Sequence, residues 1–292
     1  MREEATVPHV ELSAGVIDYA DTGGAGPVVV FTHGLPMSAT QWRKVVPLLP
    51  GYRCVLPTLP LGGHRVPMRP DADLTQFGVA RLLGEFLARL DLREVTLVVN
   101  DWGGAQFLLT ERFPGHERVA RLALVACEAF DNMPPGPAKP ISRVAAVPGG
   151  VWLLLQLLRV RAVRHHRNAY GGMSVRGIPD AVLADWFRPA RQSRAIRRDF
   201  AKFAAGTPPR NVLLDRSERL RGFDRPALIV WAAEDRFMPR EHGPRLAALL
   251  PDARLVELSE CATLVPEDQP ERLAELLTGF LVETGARPAR ST

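Results

Sequence analysis

The stretch Leu97–Phe107, LVVNDWGGAQF, decides the fold prediction. It runs from apolar residues typical of a buried strand into Asn100-Asp101-Trp102, and two glycines follow before a helical pattern resumes. A strand that turns sharply into a helix is the repeating junction of a parallel sheet flanked by helices. The aspartate at this turn has to be explained by the residues that the rest of the chain places around it.

Apolar or alternating segments recur between helical patterns along the chain. We predict strands over 9–14, 16–21, 27–33, 52–57, 95–100, 121–127, 226–233 and 253–259. Helical periodicity predicts helices over 74–90, 105–113, 241–250 and 269–283. This order predicts an α/β fold, with a doubly wound, mostly parallel eight-stranded sheet.

The alternation of strands and helices is interrupted in the middle of the chain. It stops in the proline-containing segment 128–140, EAFDNMPPGPAKP, and returns at Pro226. The patterns over 151–163, 179–188 and 191–205 indicate helices without a strand. We therefore predict an all-helical cap over 136–222 between two core segments, 1–135 and 223–286, with a disordered tail over 287–292.

Composition limits the classes of function. With 46% hydrophobic and 24% charged residues, the 292-residue chain is an ordinary globular one. The longest apolar run, Val151–Leu158, is too short to span a bilayer, and the N-terminus lacks an apolar signal segment. We predict a cytoplasmic protein with no membrane partner. Its three cysteines lack metal-ligand spacing, so we expect reduced thiols, no metal and no cofactor.

The positive charge is concentrated in the predicted cap. The net charge is +5, but residues 140–221 hold 15 Arg and Lys202 against five acidic residues, which is +11, so the rest is −6. These arginines lie in helical patterns with few interleaved aromatic residues, and we predict no nucleic-acid partner. They indicate either a solvated helical face or a field that attracts small anions.

Polar residues follow four of the predicted strands. Open parallel sheets bind ligands beyond the carboxyl ends of their strands, so these positions are the candidate site. They are His33-Gly34-Leu35-Pro36, Asp101-Trp102, Glu128 with Asp131, and Glu234-Asp235.

Three of these segments carry recognisable motifs. The sequence resembles the α/β-hydrolase superfamily, and within it the haloalkane dehalogenase and epoxide hydrolase branch. Segment 32–42, THGLPMSATQW, is similar to the oxyanion loop of that branch; 98–104, VVNDWGG, to its nucleophile elbow with Asp in place of Ser; and 232–239, AAEDRFMP, to its acid turn. The resemblance covers nearly the whole chain outside the cap.

The resemblance implies roles for the motif residues. Asp101 would attack carbon as a carboxylate and form a covalent ester, although an aspartate here could also be a simple helix N-cap. The backbone N–H groups of Trp102 and Leu35 would form an oxyanion hole, and the Trp102 indole N–H would hold a departing halide. His33 matches the oxyanion-loop histidine, which is usually structural. Glu128 and Asp235 match the two alternative positions of the acid.

The sequence departs from the family pattern at the base. Where the superfamily has the histidine that activates water, alignment of 258–277, LSECATLVPEDQPERLAELL, places Thr263. Threonine cannot accept a proton from water at neutral pH, so hydrolysis of an ester on Asp101 would lack its general base. His64, after the fourth strand, is a candidate replacement.

The predicted cap also departs from the family pattern. It contains only Tyr170, where epoxide hydrolases use two tyrosines. Trp152 and Trp186 could supply further hydrogen-bond donors from the cap, or could pack in its core.

Three functions remain open at this point. The first is a hydrolase-like enzyme that acts through Asp101 on a small, largely apolar and possibly anionic metabolite. The second is a non-hydrolytic lyase, dehydratase, isomerase or cyclase, in which two close carboxylates differ in pKa and transfer protons. The third is a pseudoenzyme that binds a ligand without converting it. The substrate and the oligomeric state stay undetermined.

Overall fold

A single eight-stranded sheet forms the centre of the protein. The computed structural model describes residues 7–289. The strands are β1 His9–Leu12, β2 Gly15–Asp21, β3 Val28–Phe31, β4 Arg53–Pro57, β5 Val95–Asp101, β6 Val119–Cys127, β7 Ala227–Ala232 and β8 Ala253–Leu258. Their order across the sheet is β1-β2-β4-β3-β5-β6-β7-β8. Strands β3 to β8 pair in parallel, whereas β2 pairs antiparallel with both β1 and β4, which confirms the predicted α/β architecture.

Burial explains the pattern of each strand. Every residue of β5 and β7 is buried, as expected for central parallel strands covered by helices on both faces, and their sequences are nearly continuous apolar runs. The edge strand β1 alternates exposed and buried residues instead. The central strands are therefore the buried middle of the sheet, and the candidate site lies at their carboxyl ends.

Eleven α-helices surround the sheet in the described part of the chain. They are α1 Gln76–Arg89, α2 Phe107–Thr110, α3 Pro140–Ala145, α4 Gly150–Leu157, α5 Arg161–Arg164, α6 Asp180–Gln192, α7 Arg194–Ala205, α8 Arg210–Glu218, α9 His242–Leu249, α10 Val265–Asp268 and α11 Pro270–Glu283. Helix α2 is shorter than the prediction over 105–113. Arg112 adopts a left-handed φ of 51°, and Pro114 disfavours helical geometry at Phe113, so the helix ends early.

The described chain between β6 and β7 contains α3 to α8 and no strand. The pattern predicted as one helix over 151–163 forms two, α4 and α5, separated by a turn. Helix α7 begins where the Ser193 side chain accepts a hydrogen bond from the Ile196 N–H, a normal N-cap. Its buried Phe203 lies 5.7 Å, ring centre to ring centre, from Trp102. The helical segment therefore covers the end of β5.

The C-terminal segment makes one described contact with the core. The sequence predicts a disordered tail over 287–292, whereas the Ala289 N–H donates a hydrogen bond to the Gly51 carbonyl oxygen. Residues 290–292 lie outside the described residues. Across residues 7–289, no helix combines the length and apolarity needed to cross a membrane.

Candidate active site

The site begins at the turn where β5 ends. Asp101 adopts a left-handed φ of 59°, and Gly104, three residues on, has a φ of 71°. A Cβ atom at Gly34 would lie 1.8 Å from Asp101 Oδ2, so only glycine allows the loop after β3 to approach the carboxylate this closely. Strand β3 pairs with β4 on one side and with β5 on the other, so the order in which strands are added to the sheet reverses between β3 and β5. Open α/β sheets usually bind their ligands in the crevice at such a point.

Asp101 lines a cavity of about 240 Å³. Most of the wall is apolar and comes from the loops after β3 and β7 and from the helical segment; its members include Leu35, Pro36, Ile141, Leu154, Leu155, Leu158, Phe200 and Phe237. The polar members are Asp101, Trp102, Asn168 and Tyr170. Among the described residues of this wall there is no lysine or arginine, so the cavity favours a neutral apolar ligand over the anionic one considered from the sequence.

The Asp101 carboxyl group is held in an environment that resists ionisation. Its side chain is almost completely buried. Burial raises the pKa of Asp101 to about 7, the backbone N–H of Trp102 partly lowers it, and the charge of Asp235 raises it further. Near neutral pH, Asp101 is therefore present both as a carboxylate and as a carboxylic acid.

The Trp102 side chain presents an unused hydrogen-bond donor. Trp102 is 2% exposed and lines the same cavity as Asp101. Its indole N–H is buried and has no partner among the described residues. Buried donors in folded proteins are nearly always paired, so this N–H is available to a ligand atom or a water molecule in the cavity.

Of the two other residues of the predicted oxyanion loop, Leu35 has its N–H engaged within the protein, and His33 occupies a structural position. The Leu35 N–H donates to the Trp102 carbonyl oxygen at 3.1 Å, so it is not free to bind a ligand oxygen, although the Leu35 side chain does line the cavity. The ring of His33 is fully buried, and its Nε2 accepts from the Leu59 N–H. Burial lowers the pKa of His33 to about 4, so the ring is neutral and connects the loops after β3 and β4.

Glu128 lies behind the turn rather than in the cavity wall. It is fully buried, and its carboxyl oxygens accept from the Gly104 N–H at 2.7 Å and the Gly103 N–H at 3.3 Å. Burial raises its pKa to about 8, those N–H groups oppose the rise, and the charge of Asp101 adds to it. Glu128 therefore holds the backbone that follows Asp101, and at neutral pH it is mostly protonated.

Asp235 and Thr263 form a direct pair. The Thr263 hydroxyl donates to Asp235 Oδ1 at 2.7 Å, and the same oxygen accepts the N–H groups of Phe237 and Met238. Asp235 as a residue is partly exposed, yet its Oδ2 atom is buried and has no partner among the described residues. Burial raises the pKa of Asp235 to about 6, against the effect of the Thr263 hydrogen bond. Neither residue belongs to the described cavity wall.

His64 is engaged away from the cavity. Its Nδ1 accepts from the Gly62 N–H, so its Nε2 carries the proton and donates to Asp199 Oδ2 at 3.2 Å. Burial lowers the pKa of His64 although Asp199 opposes the change. Asp199 also accepts from the Met68 N–H and from Arg198. His64 thus ties the loop after β4 to α7, and it is not among the residues of the cavity wall.

The three cap residues proposed from the sequence are divided by the structure. Tyr170 is buried, lines the cavity and packs edge-on against Phe187. Trp186 is buried elsewhere, and its indole N–H donates to the Thr40 hydroxyl. Trp152 is 51% exposed on the outer face of α4. Only Tyr170 is therefore available to a ligand in the cavity, and burial raises its pKa well above the ordinary value, with the charge of Asp101 adding to the rise.

Sequence analysis missed Asn100 and the cap side of the cavity. The buried Asn100 amide donates to the carbonyl oxygens of Val125 and Thr263 and accepts from Gln41, so it fixes the end of β5 to its neighbours. Its position directly before Asp101 was the only available signal. Asn168 and Phe200 reach the cavity through the packing of the helical segment, which no local pattern reveals.

Three further features of the described residues concern metal binding, the pairing of cysteines and a second cavity. Residues 7–289 contain no group of three His, Cys, Asp or Glu side chains arranged to hold a metal ion. Cys54, Cys127 and Cys261 are buried and unpaired with one another. A larger open cleft of about 450 Å³ lies elsewhere, beside Thr58, Arg65 and Arg188, and holds none of the candidate residues.

Comparison with known proteins finds a family and relatives that are named as enzymes. The family model described as alpha/beta hydrolase fold matches residues 27–270. A haloalkane dehalogenase of Mesorhizobium japonicum is 38% identical over 126 residues, which cover 41% of this chain and 40% of that protein. A 2-hydroxy-6-oxononadienedioate/2-hydroxy-6-oxononatrienedioate hydrolase of Cupriavidus pinatubonensis is 27% identical over 271 residues, 89% of each protein.

The architecture is also shared with a solved structure. The crystal structure of a haloalkane dehalogenase from Bradyrhizobium elkani superimposes with a TM-score of 0.75 at 23% identity, over 96% of this chain and 99% of that one. The likeness extends over the helical segment between β6 and β7 as well as the sheet.

Proposed function

The chain belongs to the alpha/beta hydrolase fold family, and from that premise we propose that it is an enzyme whose Asp101 carboxylate attacks an electrophilic carbon of a small, apolar substrate. The observation that carries this proposal is the Asp101 carboxyl group in a mostly apolar cavity beside the indole N–H of Trp102, which has no partner among the described residues. The left-handed turn at Asp101 supports the role, because a nucleophile elbow needs such a turn.

The first step is a substitution at carbon. An Asp101 oxygen forms a bond to the carbon, the bond from that carbon to its leaving group breaks, and the leaving group departs with the electron pair as an anion. The Trp102 indole N–H is the donor for that anion, in a site that excludes most water. For an epoxide, the oxygen stays attached to the substrate and takes a proton, for which the Tyr170 hydroxyl is the candidate donor.

The second step, hydrolysis of the ester, is where this chain departs from the family pattern. We assign position 263 to the base that activates water, and Thr263 donates its hydroxyl hydrogen to Asp235 instead. His33 and His64 each use their ring nitrogens on neighbouring groups, and no histidine is among the described residues of the cavity wall. Ester formation at Asp101 is therefore faster than its release.

Intact-protein mass spectrometry tests both steps. The protein is incubated with a panel of short haloalkanes and terminal epoxides, and we expect a stable mass increase located on Asp101 by peptide mapping. The variant Asp101→Asn is the matched control and should gain no mass. In Thr263→His the ester should form and then disappear, with release of the alcohol. No adduct with any member of the panel, and no change in reactivity on substituting Asp101, would refute nucleophilic attack.

A second function is favoured by three carboxyl groups of raised pKa, one of which, Asp101, lines the cavity. Burial raises the pKa values of Asp235, Asp101 and Glu128 to about 6, 7 and 8, so acid and base forms coexist at neutral pH. Asp101, which lines the cavity, can take a proton from a substrate carbon and return it, as in isomerisation, elimination or ring closure. This alternative predicts that the converted substrate incorporates deuterium from D₂O and no oxygen from labelled water. A ligand that binds without adduct or conversion would instead indicate a pseudoenzyme.

Two further assignments belong to this proposal. The segment 136–222 acts as the cap that closes the cavity, supported by the cavity residues it supplies, such as Ile141 and Phe200. The protein works in a reducing, cytoplasmic compartment, supported by its three unpaired, buried cysteines.

A further inference from the structure

Exposed apolar side chains are concentrated on one part of the helical segment. Of the twelve large apolar side chains that are exposed in the described residues, seven lie between 144 and 163; they are Val144, Val147, Trp152, Leu153, Leu157, Val160 and Val163. Trp152, Leu153 and Leu157 are each about half exposed, at 51%, 52% and 49%. We call these seven residues the 144–163 patch. Large apolar patches on a protein surface usually mark an interaction site, so the patch is a candidate binding surface.

The charge around the patch is predominantly positive. Between residues 132 and 179 the sequence contains seven Lys and Arg residues, two His and no Asp or Glu. Arg143, Arg159 and Arg167 are exposed and have no carboxylate within ion-pair distance among the described residues, and the same is true of Arg194 on the facing helix α7. Asp180 is the neighbouring acid, and it pairs with side chains from α5 and with His165.

Helix α4 connects the patch to the cavity. Leu153 and Leu157, four residues apart, lie on its outer face, as the helical repeat requires. Leu154 and Leu155 line the cavity that contains Asp101, and so does Leu158 directly after the helix. Val163 is 39% exposed and also belongs to the cavity wall. The outer surface and the cavity are thus separated by a single short helix and its flanking turn.

We propose that the 144–163 patch binds the surface of an anionic lipid bilayer. Half-exposed Trp and Leu side chains surrounded by arginine are the combination that inserts at the level of lipid headgroups. Unpaired arginines around the patch would repel a second copy of the same surface, whereas they attract a negatively charged leaflet. The occupant therefore has an apolar interior and an anionic face, which a bilayer provides.

The sequence analysis predicted no membrane partner, and the proposed binding to a bilayer surface differs from that prediction. That prediction rested on the lack of a segment long enough to span a bilayer, which does not bear on peripheral binding. The run Val151–Leu158 was predicted to be helical, but the sequence does not reveal that two of its leucines face outwards. Binding at this surface stands independently of the reaction at Asp101, and it would bring α4 and the cavity close to apolar molecules dissolved in the bilayer.

Vesicle flotation of the full-length protein tests the proposal. We expect the protein to float with vesicles made of equal parts of phosphatidylglycerol and phosphatidylcholine at low salt, and to stay behind with phosphatidylcholine alone. Raising the salt concentration should weaken binding, because it screens the arginines. Equal binding to both vesicle types, or to neither, would overturn the proposal.

Tryptophan fluorescence identifies the inserted face. The other four tryptophans, Trp42, Trp102, Trp186 and Trp231, are buried, so quenching by brominated lipid reports on Trp152. We expect Trp152→Phe to lose the quenching while the protein still floats. If quenching persists in this variant, another surface is in contact with lipid.

Paired variants separate apolar from electrostatic contributions. Leu153→Gln combined with Leu157→Gln should lower the vesicle partition coefficient by about tenfold or more. Leu48→Gln, which changes a leucine of 40% exposure outside the patch, should leave it unchanged.

Removing one basic residue near an anionic surface should cost about fivefold in partition. We expect this of Arg143→Gln and of Arg159→Gln, and no change for the exposed control Arg89→Gln. Each variant is first shown to unfold at the denaturant concentration of the parent. A concentration-dependent dimer that the leucine double variant abolishes, without vesicle binding by the parent, would assign the patch to self-association.

Discussion

Replacing Asp101 by asparagine should stabilise the folded protein, and increasingly so as the pH rises. The substitution keeps the shape of the side chain and removes its ability to ionise. Asparagine tolerates the left-handed φ of 59° at this position, so the turn itself is preserved. What changes is the free energy of placing a negative charge in a buried, apolar cavity.

The magnitude follows from the pKa of Asp101. In the unfolded chain its pKa is near the ordinary 3.8, whereas burial and the charge of Asp235 raise it to about 7 in the folded protein. Between these values the folded state binds more protons than the unfolded state, so stability falls as the pH rises, by about 1.4 kcal/mol per pH unit. Above about pH 7 the loss levels off. The asparagine variant lacks this loss.

The expected difference is measured by urea unfolding followed by far-UV circular dichroism. Between about pH 5 and about pH 8, the free energy of unfolding of Asp101→Asn minus that of the parent should grow by about 2 to 3 kcal/mol. Titration of Glu128 and Asp235 occurs in both proteins and largely cancels. Asp224→Asn, at an exposed acid without an ion pair among the described residues, should show no such growth. If the free energies of unfolding of variant and parent differ by the same amount at both pH values, ionisation of Asp101 does not destabilise the folded protein and the reasoning is refuted.

Three other substitutions test neighbouring parts of the site. Trp102→Phe removes the unpaired indole N–H, so we expect its free energy of unfolding to stay within about 1 kcal/mol of the parent's. Isothermal calorimetry should show at least tenfold weaker binding of bromide or iodide. Unchanged halide affinity would assign the anion to another donor. Glu128→Gln replaces an acceptor oxygen with an NH₂ group that faces a backbone N–H, and urea unfolding should show a loss of about 1 to 3 kcal/mol. Asp199→Asn removes the charge that pairs His64 and Arg198 and should cost about 3 kcal/mol, with faster proteolysis of the segment 136–222. Equal proteolysis of parent and variant would mean that this buried network does not hold the helical segment to the core.

The fold was predictable because its signals are local. Strands such as β5 and β7 are buried on both faces, and their continuous apolar runs are visible in a short window of sequence. The order of strands and helices then restricts the topology to a doubly wound sheet. The error at α2 has the same local character, since it depends on the backbone conformation of Arg112, which composition does not reveal.

The candidate site was predictable in part. Asp101, Trp102 and Leu35 follow strands whose carboxyl ends meet, and all three line one cavity with Tyr170. The sequence could not determine which way each remaining group faces. Glu128 turned towards the backbone N–H groups behind Asp101, His64 towards Asp199, and the Leu35 N–H towards the Trp102 carbonyl oxygen.

The sequence by itself determined the sheet, the position of Asp101 at the turn after β5 and the threonine at position 263, because each depends on residues that are close along the chain. Only the tertiary structure determined the pKa of each carboxyl group and which side of α4 faces the cavity. Those properties arise from burial and from contacts between segments far apart in sequence, such as Thr263 with Asp235 and Phe200 with the cavity. Because a pKa is set by what surrounds a group in space, no local pattern could have predicted an aspartate that titrates near neutrality.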